Sequence, residues 1–390
     1  MPSIHNNKND AENTAEANTA DANTHETEAG EKRETVSHFP CPNCGAGLKF
    51  KPETQKLYCS YCSTEIDILS KGSINEYDFF TATDSSEGNW GEERRVIHCK
   101  NCGANTVIDA VATAQNCAFC GSAQVVRNED QIGIAPESLV PFYISSEAAE
   151  KNFRKWIKGT WFLPKSVKND LRTDKLKGVY LPFWTYDADT WSSYIGEAGQ
   201  YYYVTRTDWV TRNGKREMVT RQERKIRWYP TGGAYTQYFD DVMVNASKNI
   251  DEGILQKLHP FQMEKLVPYK SGYLAGFYAE RYGLGLTEGW DRAREKVKDG
   301  IRKGIIRQIN ADEVRNLQIN TRYNKISYKH ILLPVWLSAI NYKGKLYRYM
   351  VNGQTGKVQG KAPVSGAKVA GFVFALLAVA AIIILIVSGR

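Results

Sequence analysis

The chain has 390 residues, which is long enough for two or three domains, and 12% of them are aromatic. The formal net charge is +8, but residues 1–37 carry three basic and eight acidic side chains, so the remainder is formally +13. Basic residues are spread along this remainder without a Lys/Arg block of the kind that tracks nucleic acid, which argues against a polybasic nucleic-acid binder. A basic face toward anionic lipid explains the excess of positive charge as well as nucleic-acid binding does.

Residues 1–37 are polar, acidic and nearly free of large apolar side chains. They cannot bury enough surface to offset the entropy of ordering, so we predict a disordered acidic tail. The segment lacks the basic start and apolar stretch of a signal peptide. The cysteines that follow it are therefore expected on the reducing, cytoplasmic side.

Eight cysteines stand in two superimposable sets of four. Each cysteine of the first set recurs 58 residues later in the second, and each set consists of two Cys-x-x-Cys pairs separated by fourteen residues. The sets are Cys41, Cys44, Cys59 and Cys62, and then Cys99, Cys102, Cys117 and Cys120. We predict two zinc ribbons, over residues 38–70 and 96–128, joined by a linker at 71–95 that packs between or against them.

The spacing predicts zinc because two thiolates on one tight turn reach the same ion, and a second turn across a short hairpin completes a tetrahedral shell. Four thiolates leave no open position for water, so both sites are predicted to be structural, with two Zn²⁺ ions in all. Each centre would carry a charge of −2. Iron uses the same ligand set, and four disulfides would require an oxidising compartment.

Residues 135–360 are predicted to form a β-rich α+β domain. Ser145 or Ser146 caps a helix that runs to about residue 156, and Asn213-Gly214 indicates a hairpin between strands at 201–210 and 216–229. Further strands are expected at 235–244 and within 267–280, and Thr287 is expected to cap a helix to about Ile309 with one apolar stripe. Residues 178–186 and 330–338 both contain Leu-Pro-x-Trp, which indicates a weak internal repeat. The turn at 352–357 closes a last hairpin.

From Val369 to Val387 the chain has nineteen residues without a polar side chain. As a helix they would span about 28 Å, close to the roughly 30 Å of a bilayer core. We predict a transmembrane helix over 364–388 that contacts the lipid bilayer. Lys357, Lys361 and Lys368 precede the apolar run and only Arg390 follows it, so the positive-inside rule predicts a tail-anchored, single-pass protein of the cytoplasmic membrane with its N-terminus in the cytoplasm.

Catalytic motifs are missing from the sequence. There is no phosphate-binding loop, because the closest string, at 353–357, has the wrong spacing, and neither Gly-x-Ser-x-Gly nor His-Glu-x-x-His occurs. All eight cysteines are assigned to metal. The carboxylates Asp187, Asp189, Asp240 and Asp241 are expected to be solvated pairs at strand ends. We therefore predict no enzyme and no catalytic residue.

The double ribbon, the Leu-Pro-x-Trp segments, residues 273–280, the hairpin at 347–357 and the C-terminal span together resemble a bacterial family. It is the family of TFIIB-type zinc-ribbon membrane proteins, sometimes labelled as relatives of the primosomal replication-restart helicase. The resemblance covers residues 38–390. It implies a metal-binding protein of the cytoplasmic membrane, associated with phage-shock-type and SPFH-domain proteins that respond to envelope stress.

These features predict a non-enzymatic, tail-anchored zinc-ribbon scaffold or adaptor. The alternative is a membrane-tethered ribbon protein that binds nucleic acid in replication or transcription. Its candidate base-stacking residues are the aromatic and basic strands at 201–204 and 221–228. A hydrolase hidden in the α+β domain is a weaker third option, because the sequence names no nucleophile for it.

Overall fold

The computed structural model describes residues 39–69, 72–82, 94–109, 116–128, 133–170, 176–212 and 214–388. The predicted acidic tail and the turn residue Asn213 lie outside these ranges. The first part of the chain contains β1 (Leu48–Lys51), β2 (Lys56–Cys59), β3 (Glu65–Asp67), β4 (Tyr77–Asp78), β5 (Arg94–Cys99), β6 (Asn105–Asp109) and β7 (Val125–Asn128). It continues with β8 (Ser138–Leu139), α1 (Ser146–Gly159), α2 (Lys165–Asp170), β9 (Lys177–Arg212), β10 (Lys215–Asn245), α3 (Glu252–Leu258), β11 (Val267–Pro268), β12 (Tyr278–Glu280), α4 (Leu286–Ile309), β13 (Glu313–Tyr342), β14 (Lys345–Asn352), β15 (Val358–Gly360) and α5 (Gly366–Ser388).

Three very long antiparallel strands organise the protein. Strand β9 lies between β10 and β13, which makes the structure a sheet-rich α+β fold, as predicted. The strands predicted separately at 216–229 and 235–244 are one continuous strand, β10, and those at 178–186 and 201–210 both belong to β9. The pairing register of these strands shifts at three bulges, where Asp241, Asn316 and Lys325 have positive φ.

The end of the β9–β10 hairpin extends past the rest of the sheet. Strand β13 stops pairing with β9 at Gly199, so residues 200–212 and 215–227 form a two-stranded arm, about 40 Å long. Most of its side chains are exposed on both faces. We call this segment the arm.

Helix α4 packs along β10 and β9 through the predicted apolar stripe. Ala293, Val297, Ile301 and Ile305 are all buried, which confirms the stripe. The helix begins at Leu286 after Gly285, so the predicted Thr287 cap was wrong by two residues. Its glycines allow a close approach to the sheet, because a methyl group on Gly304 would overlap the Tyr235 hydroxyl.

Two predicted segments differ from expectation. The run at 267–280 is mostly turns, with only the short β11 and β12, because positive φ at Gly276 and a 3₁₀ turn at Ser271–Leu274 break the strand. The linker pairs through β4 with Ser327 and Tyr328 on β13. The described part of the linker, residues 72–82, therefore lies on the large sheet through β4, whereas the prediction placed the linker between or against the ribbons.

Both ribbon segments share hydrophobic cores with the large sheet. Phe50 and Leu57 from the first pack with Tyr180 and Tyr273. Phe119 from the second belongs to the core that contains residues of β9 and β13. The cysteine turns are thus attached to the main body through these cores, which fixes the position of both candidate sites.

Helix α5 has 23 residues and is long and apolar enough to span a membrane, with a mean hydropathy of 3.1 over its most apolar 18 residues. All its side chains from Val369 onward are exposed. It begins at Gly366, two residues inside the predicted start, and near its first turns it is joined to residues 161–163 by hydrogen bonds and a ring contact.

Candidate metal centres

The eight cysteines lie on four tight turns with the same backbone geometry. In each turn the N–H of the residue after the second cysteine donates to the carbonyl of the first, at 2.8–3.0 Å. The residue after the second cysteine has positive φ in every case, and it is glycine in three turns and Ser63 in the fourth. This conformation costs a non-glycine residue about 1–2 kcal/mol, which explains the Cys-Gly pairs seen in the sequence.

The turns bring the sulfurs together in the two predicted sets of four. In the first set the Sγ atoms of Cys41 and Cys62 are 3.4 Å apart, and in the second set those of Cys102 and Cys117 are 3.7 Å apart. All four sulfurs of a set lie within 4.8 Å of one another, and all eight are free thiols rather than disulfides. Zn–S bonds of about 2.3 Å in a tetrahedron place sulfurs roughly 3.8 Å apart, so both sets have the dimensions of a metal shell.

Hydrogen bonds favour thiolates at particular positions. The Thr64 hydroxyl lies 3.1 Å from Cys62 Sγ and lowers the pKa of that thiol to about 6. In the second set the hydrogen bond with Cys102 lowers the pKa of Cys117 to about 5, with the Phe119 N–H donating to the same sulfur at 3.3 Å. Each set therefore offers a thiolate at neutral pH, as a metal ligand requires.

The two sets differ in burial and in their surroundings. Cys44 and Cys62 are exposed in the first set, whereas all four cysteines of the second are buried or half-buried. Two basic side chains hold the carbonyls of the second set's turns. Arg348 donates to the Phe119 carbonyl and Lys177 to that of Asn116. These cations lie beside a shell that would be −2 with a divalent ion.

Four sulfur donors around one ion leave no position for a substrate or a water molecule. The arrangement can hold a turn pair together, but it cannot polarise a carbonyl or generate a hydroxide nucleophile. The geometry is that of a structural site. Both sets join their turns to the cores described above, so loss of the ion would loosen those cores.

A third group, Asp187, Asp240 and Asp241, places carboxylates within 4.8 Å of one another. The Lys329 ammonium already lies there, 2.9 Å from Asp241 and 2.9 Å from Glu76. The prediction that these acids are solvated was wrong for Asp187, which is buried and accepts hydrogen bonds from Ser327 and the Asp241 N–H. Burial raises its pKa to about 6. An internal ion pair, rather than a metal, explains this cluster.

The residues considered for base stacking lie on the arm and at its root. Several of their rings are covered by cations of the protein itself, with Arg224 over Tyr201, Arg227 over Tyr202 and Arg315 over Trp228. Such cation–π contacts occupy ring faces that a base would otherwise stack on. Tyr203 and Trp209 remain largely exposed.

The fold and the sites define the class: a sheet-rich α+β protein with two four-cysteine clusters and one helix of membrane-spanning length. No protein-family model matches the chain, and no solved structure does. The chain is 30% identical over 340 residues to the uncharacterized protein YdjG of Bacillus subtilis (strain 168), a similarity that covers 86% of this chain and 93% of the relative. It belongs to the same family as YdjG.

Proposed function

We propose that the protein is a non-enzymatic zinc-ribbon scaffold, held at the cytoplasmic membrane by α5. One observation carries the proposal: two four-cysteine clusters share the hydrophobic cores of a body that ends in a long, exposed, apolar helix. A rigid body on a membrane anchor suits the presentation of a binding surface. By the resemblance given above, its partners would be phage-shock-type and SPFH-domain proteins in envelope stress.

Zinc is the proposed ion in both sites because thiolates are soft ligands and Zn²⁺ has no redox chemistry that would disturb a structural shell. Metal analysis of the purified chain should find two zinc ions and no visible charge-transfer absorption. Cys41→Ser and Cys99→Ser should each lower the zinc content by one ion. Ser60→Ala, inside a turn but without a sulfur, is the matched control. Iron with its coloured absorption would contradict this assignment.

Membrane attachment is the second part of the proposal. Lys357, Lys361 and Lys368 precede the apolar run of α5 that begins at Val369, which supports a cytoplasmic location of the body. Deletion of residues 364–390 should move the protein to the soluble fraction and abolish recruitment of its partners. Unchanged fractionation would contradict the anchor.

Partner binding is tested by a crosslinked pull-down from membranes. Wild type is compared with Cys41→Ser and Cys99→Ser, with Ser60→Ala again as the control. Partners lost together with zinc would place binding on the ribbon segments. Partners that are retained would move binding to the large sheet or the arm, and no reproducible partner with any variant would contradict a scaffold.

A second candidate function is nucleic-acid binding by the arm. Residues 200–229 carry eight basic and three acidic side chains, with Tyr203 and Trp209 exposed among them. This candidate predicts binding of DNA or RNA with a steep salt dependence, because phosphate contacts release counterions. Absence of binding at low salt would eliminate it.

A further inference from the structure

The first turns of α5 are joined to the short segment between α1 and α2. The Ser365 N–H donates to the Phe162 carbonyl, and the Lys368 ammonium donates to the carbonyls of Trp161 and Leu163 at 2.9 and 2.8 Å. The Phe162 ring packs on Phe372, with centroids 5.7 Å apart. Phe372 lies about 9 Å along the helix from its first residue. If α5 crosses a bilayer, Phe162 therefore lies at the boundary of the hydrocarbon core.

Trp161 precedes Phe162 directly, its carbonyl accepts from Lys368, and the residue is 70% exposed. Tryptophan is the residue most typical of the membrane interface, because its ring is apolar and its N–H needs a polar partner. A large exposed tryptophan next to the start of an apolar helix is thus explained by a position among lipid headgroups.

Helix α1 runs to this boundary with a basic surface. Residues 151–158 contain four basic side chains, all exposed, and no acidic one. The acidic residues of α1 are Glu147 and Glu150, at its far end, and Glu150 pairs with Arg154. The positive surface is therefore densest toward the end of α1 that meets Trp161.

A groove of about 670 Å³ opens between the C-terminal half of α1 and the turn before β15. Lys155 lines one side and Lys357 the other, with Thr160 at the end next to Trp161. The Asn152 amide holds the Gly356 carbonyl at 3.1 Å, which fixes the turn. Lys357 is oriented by a 2.6 Å hydrogen bond from its ammonium to the His259 carbonyl.

We propose that this groove binds the headgroup of an anionic phospholipid, with Lys155 and Lys357 on its phosphate. The inference rests on the proposed membrane attachment, since only a lipid in the bilayer brings its phosphate to the depth of Trp161. Basic residues near an anionic surface each strengthen binding by up to about fivefold, and the effect is confined to roughly a Debye length. The chain would thus select the lipid around its anchor.

The test uses the full chain reconstituted into phosphatidylcholine vesicles that contain spin-labelled phosphatidylglycerol or spin-labelled phosphatidylcholine. The motionally restricted fraction of each label gives its relative affinity for the protein. Wild type should prefer phosphatidylglycerol severalfold, and the Lys155→Ala/Lys357→Ala double variant should lose that preference. The Lys215→Ala/Lys225→Ala double variant, with the same charge loss on the arm, should keep it. Lys155, Lys215 and Lys357 are exposed and Lys225 is half-buried, so both variants should melt like wild type.

The results separate this inference from the anchor itself. If alkaline carbonate extracts the wild-type chain from the vesicles, the membrane attachment fails and the inference fails with it. If the wild-type chain stays in the vesicles but shows no preference for phosphatidylglycerol, only the lipid site is overturned. The same holds if the Lys155→Ala/Lys357→Ala variant keeps that preference. Displacement of the labelled lipid by millimolar glycerol phosphate would identify a soluble anion as the ligand and would also overturn it.

Discussion

Glu280 is a buried carboxyl group at the end of β12, and its replacement by glutamine should change how stability depends on pH. The side chain is 1% exposed, and its carboxylate accepts a hydrogen bond from the Asn249 amide at 2.7 Å. Burial raises the pKa of Glu280 from the ordinary 4.5 to about 7. The folded protein therefore retains this proton at pH values where the unfolded chain has released it.

The sign and size follow from that difference in pKa. Because the folded-state pKa is the higher one, the folded protein loses stability as pH rises from about 4.5 to about 7. Each pH unit in this interval lowers the free energy of unfolding by about 1.4 kcal/mol, which gives about 3 kcal/mol in total. Glu280→Gln is neutral at every pH and should remove this loss.

The assay is denaturant unfolding of the full chain in detergent micelles at pH 5 and pH 8, with equal zinc content in both proteins. At pH 8 Glu280→Gln should be more stable than wild type, by up to about 3 kcal/mol, and the advantage should be much smaller at pH 5. The control is Glu264→Gln, an exposed position where the change should matter little at either pH. An identical difference between Glu280→Gln and wild type at both pH values would refute the reasoning.

Three further substitutions test local features. Ser63→Gly should raise the free energy of unfolding by about 1 kcal/mol in a thermal melt, because Ser63 has a φ of 60° that glycine adopts without strain. Unchanged stability of the variant would contradict backbone strain at Ser63. Gly304→Ala should lower the free energy of unfolding by about 1–3 kcal/mol, because the added methyl group overlaps Tyr235. Adding Tyr235→Leu to that variant should restore part of the loss. If the effects of the two substitutions simply add, the overlap is contradicted. Lys329→Met should lower the free energy of unfolding by about 3 kcal/mol. This is the low end of the range for breaking a buried ion pair, because Glu76 is partly exposed. A variant as stable as wild type in denaturant would contradict the buried ion pair.

The sequence correctly predicted those features that depend on interactions between residues close together in the chain. The cysteine spacing predicted which sulfurs meet, because two residues between ligands form one tight turn regardless of the surrounding fold. Ser145 caps α1 as expected, with its hydroxyl accepting from the Ala148 N–H. Composition alone was enough to predict α5 from its apolar run, and a period of 3.6 residues was enough to predict the apolar stripe on α4.

Features that depend on distant pairing were missed or misjudged. The pattern suggested several short strands, but β9 and β13 pair over more than twenty residues and place Leu181 opposite Leu333, so that the two Leu-Pro-x-Trp segments lie side by side. Asp187 was expected in solvent, yet Ser327, 140 positions away, bonds it in the interior. The residues around Asp187 in the sequence do not indicate that Ser327 is its hydrogen-bond partner.

By itself the sequence determined the two cysteine clusters, the membrane-length helix and the α+β class, because turn geometry, hydropathy and helical period act within a few residues. The tertiary structure alone decided that the ribbon segments share the cores of the large sheet, and that the β9–β10 hairpin extends beyond it as an arm. It also decided that the segment after α1, residues 161–163, lies against the start of α5. These arrangements arise from sheet pairing and side-chain packing between residues tens to hundreds of positions apart, for which the order of residues carries no local signature.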